Sequence, residues 1–307
     1  MIKLQPVFKD YLWGGTRLKS DFGYKTDYDV IAESWVASIH KDGLSIVEND
    51  GRTFRQYLED NPGFLGKDVK EFPVLIKFID SAKPLSIQVH PYEEYAQKYE
   101  HDHGKTEAWY IMDCEPDAFI YYGVNQELTR EEFRKAIEEN RVLEVLNKVE
   151  VKKGDCFLIE AGTIHAVGAG ILLCEVQQNS NATYRVYDYM RKDKNGNYRQ
   201  LHIDKAVDVS TLKPLENTDG INAEGKPVTL VDCPLFVEKY LPVNGEEKIE
   251  TTAESFTSIT FLSGEGEICA DGEAMKYQKG DSFVVKAEEG CVSVKGTGEC
   301  IVVTAAK

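Results

Sequence analysis

The sequence predicts a mainly β protein, two jelly-roll barrels in tandem with a small helical insertion. Three observations point there. Most segments read as short strands, rich in β-branched and aromatic residues and bounded by Gly, Pro, Asp or Asn. These strands follow one another without the intervening helices of a βαβ sheet. A turn-and-strand motif also occurs twice. Val151-Lys-Lys-Gly-Asp-Cys-Phe-Leu-Ile-Glu-Ala-Gly and Tyr277-Gln-Lys-Gly-Asp-Ser-Phe-Val-Val-Lys-Ala-Glu share Lys-Gly-Asp-x-Phe and two apolar residues.

The strand candidates, in order, are Pro73-Val-Leu-Ile-Lys-Phe-Ile, Ala108-Trp-Tyr-Ile-Met, Asp117-Ala-Phe-Ile-Tyr-Tyr, Cys156-Phe-Leu-Ile-Glu, Ile171-Leu-Leu-Cys-Glu-Val and Phe256-Thr-Ser-Ile-Thr-Phe-Leu. Helical spacing is clear in one region. Thr129-Arg-Glu-Glu132 matches a capping box, and Phe133, Ile137, Leu143 and Leu146 follow at roughly helical intervals, giving an insertion near 129–147. Shorter helices are expected at 53–60 and 92–99. The charged run from Arg191 to Arg199 reads as a hairpin turn centred on Asn195-Gly196. The repeat divides the chain into residues 1–220, with the insertion, and residues 221–307. Only the first copy of the repeat runs into a histidine, in Gly162-Thr-Ile-His165. No histidine follows His202, so a histidine-ligated metal belongs to the first unit.

Composition narrows the function. With 36 basic and 52 acidic residues the formal net charge is −16, which opposes general binding to nucleic acid or to anionic lipid. An anionic substrate would need cations gathered locally against that field. No apolar run approaches the ~18–20 residues of a membrane span, and the first ten residues lack the apolar stretch of a secretion signal. Seven cysteines with no Cys-x-x-Cys pair read as reduced thiols of a cytoplasmic protein.

One constellation carries chemistry. In Ser86-Ile-Gln-Val-His-Pro91, alternation along a strand puts Ser86, Gln88 and His90 on one face. Lys105 and Glu107 repeat the spacing on the next strand, and His165 arrives from a third. Two imidazoles, a carboxylate and an amide carbonyl make an N₂O₂ ligand set with room for water. That set suits zinc and also admits manganese, iron, cobalt or nickel. A rival set, His101-Asp-His103-Gly-Lys-Thr-Glu107, competes for the same glutamate but lies in a polar run without strand character. His40 reads as a strand-end residue, and His202 has no obvious partner. In Asn179-Ser-Asn-Ala-Thr-Tyr-Arg185-Val-Tyr-Asp188, Arg185 either stabilises an oxyanion or pairs with Asp188 or another carboxylate. Asp10-Tyr-Leu-Trp13-Gly-Gly reads as a tight turn with an aromatic anchor, packed in the core by default.

The Gly-Asp turn entering a buried strand resembles the second conserved box of the cupin superfamily. Together with Tyr11-Leu-Trp-Gly-Gly, Lys83-Pro-Leu-Ser-Ile-Gln-Val-His-Pro, Gly104-Lys-Thr-Glu, Gly162-Thr-Ile-His-Ala and Tyr184-Arg-Val-Tyr-Asp, it makes residues from about Val7 to about Leu215 resemble the type I phosphomannose isomerases in their short bacterial form. The last ~90 residues resemble the family only as a degenerate cupin barrel.

The resemblance implies metal-dependent interconversion of mannose 6-phosphate and fructose 6-phosphate through a cis-enediolate, with one zinc ion per chain as the usual cofactor. It places the metal ligands at Gln88, His90, Glu107 and His165, and the catalytic groups at Arg185 and Lys105. Substrate-binding positions fall on Ser86, Lys77 and Trp13. Lys77, Lys83, Lys105 and Arg185 would then be the local cations that a sugar phosphate requires. The implied partner is a small sugar phosphate, with no nucleic acid or membrane, in a monomer or small homo-oligomer. Two other readings stand beside it. One is a non-catalytic cupin that binds a sugar or sugar phosphate. The other is an iron-dependent oxygenase using His101, His103 and His165. The resemblance does not extend to the large helical domain of the long type I enzymes, and 129–147 is expected to be its remnant.

Overall fold

The computed structural model describes residues 1–192 and 196–306. The turn expected at Asn195-Gly196 falls partly outside the described residues; on either side of it Lys192 and Tyr198 form an isolated antiparallel bridge. Strands dominate and lie in three sheets. The N-terminal part holds a seven-stranded and a five-stranded sheet, and the C-terminal part contributes most of an eight-stranded sheet. The sheets pack face to face as open jelly-roll layers and do not close into complete barrels.

The helices follow their sequence signals. Thr53 and Thr129 each cap a helix with a complete capping box, opening Phe54–Asp60 and Arg130–Glu138. A third helix runs Glu93–Tyr99. The expected insertion at 129–147 is shorter as a helix. A 3₁₀ turn at Val142–Val145 follows it, and Leu146 already begins the strand Leu146–Glu150. Asn140 with φ of 56° ends the regular helix, so Leu143 and Leu146 sit beyond it.

The repeated motif builds the same turn twice. Lys152 N–H donates to Asp155 Oδ2, and Gln278 N–H to Asp281 Oδ2, both at 2.9 Å. Each aspartate N–H returns to the carbonyl of the same residue at 3.1 Å. Gly154 and Gly280 occupy the left-handed region at φ of 90° and 93°, which only glycine adopts without strain. The turns feed the strands Asp155–Ile159 and Ser282–Val285.

The two units are stitched together. Strand Ile2–Gln5 pairs with Ser282–Val285 in the C-terminal sheet, and Ile221–Asn222 pairs with Asp155–Ile159 in the N-terminal one. Between the seven- and eight-stranded sheets lies a large apolar layer that includes Phe78, Tyr110, Cys174, Phe236, Tyr240, Phe256 and Val303. Strand alternation explains why the seven-stranded sheet serves two cores. Along Val74–Ser81, Ile76 and Phe78 face that layer, while Lys77 and Ile79 face the five-stranded sheet. No helix among the described residues is long and apolar enough to cross a membrane.

Candidate active site

Cross-strand register assembles the site. On the seven-stranded sheet, Trp35, Lys77, Glu175 and Trp109 stand opposite one another on neighbouring strands, and Glu107 pairs with Gln177 and Ile159 one step along. On the facing five-stranded sheet, His165 is directly opposite Gln88, and Arg185 is opposite Gln88 on its other side. Ile87 and Val89 point away into an apolar cluster with Ala166, Tyr184 and Val186, which turns Ser86, Gln88 and His90 toward the seven-stranded sheet.

Three side chains meet between the sheets. One ligand atom each from His90, Glu107 and His165 lies within 4.8 Å of the others, and all three residues are buried. This is the one such group of three or more His, Cys, Asp or Glu among the described residues. His90 Nε2 is 3.2 Å from Glu107 Oε2, and His165 Nε2 is 3.4 Å from Glu107 Oε1. Each imidazole gives its other nitrogen to a backbone carbonyl: His90 Nδ1–H to Ala182 O at 2.9 Å, His165 Nδ1–H to Thr163 O at 2.8 Å. That pairing leaves both Nε2 lone pairs aimed inward, the arrangement that orients metal-binding histidines. Burial first, and then the Lys105 cation, push the His90 pKa down to about 3, and burial also lowers that of His165. Both rings are therefore neutral and able to donate electron pairs. Gln88 lies beside them, its side-chain nitrogen 3.4 Å from His165 Nε2.

The residues fit a divalent cation. Neither Glu107 oxygen receives a well-aligned hydrogen bond although the residue is wholly buried. Such a carboxylate is costly unless a cation or donors compensate it. Burial disfavours its charge, but the Lys105 cation, with Nζ 2.7 Å from Oε2, holds its pKa well below the usual carboxylate value. Lys105 Nζ also lies 3.0 Å from His90 Nε2 and 3.8 Å from Glu175.

Beneath the ligands runs a buried charge network that sequence reading did not single out. Lys77 Nζ is 3.0 Å from Glu175 and 3.7 Å from Glu33. Trp109 Nε1–H donates to Glu175 at 3.0 Å and Trp35 Nε1–H to Glu33 at 2.6 Å. Burial and the nearby Glu107 charge raise the Glu175 pKa to about 7. Three carboxylates thus share two lysines, a crowding of acidic groups that a bound cation would offset. The signal was present in the sequence: Glu175 is the single charge in the run Ile171-Leu-Leu-Cys-Glu-Val.

The remaining candidates divide. Ser86 is buried on the same face as His90. Lys77 is buried, and its charge is engaged by two carboxylates. Trp13 is 4% exposed and packs with Ala32, Ile79 and Leu85, while Tyr11 beside it is the exposed ring. The turn after Trp13 needs glycine, because a Cβ at Gly14 would sit 2.6 Å from Ala32 Cβ and one at Gly15 2.2 Å from an Asp80 oxygen. Arg185 does not pair with Asp188, which is taken by Arg191 and Arg199. Its guanidinium Nη1–H donates to Gln200 O at 2.9 Å, and its buried Nε has no partner among the described residues.

The other histidines stand apart. His101 is exposed, and His103 bridges Glu71 and Glu93, both at 2.9 Å, so the rival His-x-His set does not converge on Glu107. His40 is buried against Asp102 at 3.4 Å. His202, partnerless in sequence, accepts the Arg185 backbone N–H at 3.0 Å. All seven cysteines are free.

The chain resembles known proteins along nearly its whole length. The family model described as phosphomannose isomerase type I, catalytic domain, matches residues 1–121. The model described as mannose-6-phosphate isomerase, cupin domain, matches residues 228–305, so the C-terminal unit carries a family signature beyond a degenerate repeat. A mannose-6-phosphate isomerase of Bacillus subtilis (strain 168) is 38% identical, with 97% of this chain and 96% of that one covered. A crystal structure of the mannose 6-phosphate isomerase from Bacillus subtilis superposes with a TM-score of 0.87 at 35% identity, covering 98% of each chain. A mannose 6-phosphate isomerase structure bound with zinc and yttrium shares the fold, with a TM-score of 0.80 at 19% identity over 100% of both chains. The chain belongs to the type I mannose-6-phosphate isomerase (phosphomannose isomerase) family.

Proposed function

We propose that this chain interconverts D-mannose 6-phosphate and D-fructose 6-phosphate through a cis-enediolate, with one divalent metal ion, zinc by preference, per chain. The observation that carries the reading is the buried His90–Glu107–His165 group with both Nε2 atoms turned inward, in a chain of this family. His90, Glu107 and His165, with Gln88 as fourth donor, would hold the ion; imidazole and carboxylate donors suit zinc. A divalent ion held there would supply Lewis-acid polarisation of the sugar's carbonyl and hydroxyl oxygens, which would ease removal of the carbon-bound proton.

The chain's own groups do the rest. Arg185, whose Nε is buried without a partner, stabilises negative charge developing on the sugar oxygens. Lys105 keeps a cation between Glu107 and Glu175 and serves proton traffic at ring opening. Ser86 lies on the ligand face and offers its hydroxyl to the phosphate. Lys77 acts on the substrate through the charge of its network with Glu175 and Glu33, and Trp13 backs the wall of the site from the core. The catalytic unit is residues 1–220 and the second barrel residues 221–307. The reaction partner is a small sugar phosphate, and the setting the cytoplasm. The curated relatives are named as isomerases, which weighs against a binding module without turnover.

The test is a coupled assay of fructose 6-phosphate formation on the purified chain. A chelator is expected to abolish turnover, and zinc, manganese or cobalt to restore it at one ion per chain. Folded, metal-loaded protein that binds mannose 6-phosphate without converting it would overturn the reading.

A further inference from the structure

Arg185 stands where the fold gives least support. Its strand, Tyr184–Tyr187, is the edge of the five-stranded sheet and, among the described residues, pairs only with Ile87–Val89. The register breaks immediately afterwards, between Arg185 and Tyr187. On an antiparallel edge strand alternate residues turn their backbone N–H and C=O away from the sheet, and Arg185 is one of them.

In this chain His202 meets both groups. Arg185 N–H donates to His202 Nδ1 at 3.0 Å, and His202 N–H donates to Arg185 O at 2.8 Å. One residue thus supplies a donor and an acceptor, as a neighbouring strand would. Two positions earlier, Gln200 O accepts from the guanidinium Nη1 at 2.9 Å. Segment 200–202 therefore grips Arg185 at the backbone and at the head group, leaving the buried Nε free. His202 is the N-cap residue of the helix Ile203–Val209, yet its side chain makes no bond to that helix. The ring is committed to Arg185.

We propose that His202 is a positioning residue for Arg185: as a neutral imidazole carrying its proton on Nε2, it completes the open strand edge and aims the guanidinium into the site. This rests on the role given to Arg185 above. Burial and the Arg185 and Lys205 cations disfavour a second proton on His202, against the opposing pull of Glu100.

Asparagine and glutamine separate the ring positions, because the asparagine Oδ1 falls where Nδ1 lies and the glutamine amide reaches beyond it. In metal-loaded enzyme, His202→Gln should lower kcat/KM for mannose 6-phosphate about tenfold, mostly in kcat, as expected when a reacting group is slightly misplaced. His202→Asn should recover activity to within about threefold of the parent, with equal thermal midpoints for both variants. Combining His202→Gln with Arg185→Ala should cost no more than Arg185→Ala alone. Nitrogen NMR of the parent should show His202 Nδ1 unprotonated at neutral pH.

Three results overturn the proposal. The first is an impaired Arg185→Ala beside a fully active His202→Gln. The second is additive losses in the double variant. The third is a proton on Nδ1. A fully active Arg185→Ala would instead refute the role of Arg185, and the positioning role with it.

Discussion

The two cupin layers share a turn and differ in what they bury. Gly154-Asp155 and Gly280-Asp281 make matching hydrogen bonds and launch matching strands, each with a buried phenylalanine, Phe157 or Phe283. Around Phe157 the interior also holds Lys77, Glu175, Glu107 and His165. Around Phe283 it holds Ile259, Phe261, Val285, Val292, Val294 and Val302. The turn therefore specifies a scaffold, and the identity of the inward-facing side chains decides whether the scaffold carries a site. The N-terminal layer accepts the desolvation cost of burying Lys77, Lys105, Glu33, Glu107 and Glu175, partly offset by pairing; the cluster around Phe283 is apolar packing.

The largest test of that contrast removes the charge centre. Glu107→Gln should lose metal affinity and about a thousandfold in kcat, as several kcal/mol of transition-state stabilisation disappear. Phe283→Leu, the change made in the other layer, should leave turnover untouched and cost about 1 kcal/mol of stability. Equal effects on turnover would erase the distinction. Metal analysis, steady-state kinetics and denaturation read both.

Next in size is Lys77→Met, which leaves Glu175 and Glu33 buried without their nearest cation. A loss of about 3 kcal/mol in unfolding free energy is expected. A neutral or stabilised variant would mean that Lys77 serves the substrate and not the network.

A smaller effect belongs to the layer between the two units. Glu238 is fully buried there with no partner for either oxygen among the described residues, near the thiols of Cys156 and Cys174, and burial raises its pKa from 4.5 to about 8. The unfolded chain releases this proton near pH 4.5 and the folded chain keeps it. Its contribution is complete below pH 4.5 and is lost as pH rises to about 8, at about 1.4 kcal/mol per unit of displacement. Glu238→Gln should flatten that part of the stability curve and be more stable than the parent above pH 8. Parallel curves would show that Glu238 ionises normally. The smallest effect is expected from His101→Ala combined with His103→Ala, outside both interiors. Activity should stay within about twofold; a collapse would bring back the rival ligand set.

Much of this was legible in sequence because it is local. Period-two alternation, the Thr129 capping box and the doubled Lys-Gly-Asp depend on neighbours a few residues apart, so strands, that helix and the turns could be read directly. The ligand face Ser86-x-Gln88-x-His90 was legible for the same reason. What one strand does not contain is its neighbour. Glu175 is a site residue only because register sets it across from Lys77, and His202 gains its partner only where segment 200–202 closes on the edge strand at Arg185. The pairing of Asp188 with Arg191 and Arg199, in place of Arg185, is likewise a competition among three cations that only their positions in space resolve. The sequence by itself determined the fold class, the elements and the residue types able to bind a metal. Tertiary structure decided which charges are buried together and which are held ready, because the energy of a charge depends on what surrounds it and not on where it stands in the chain.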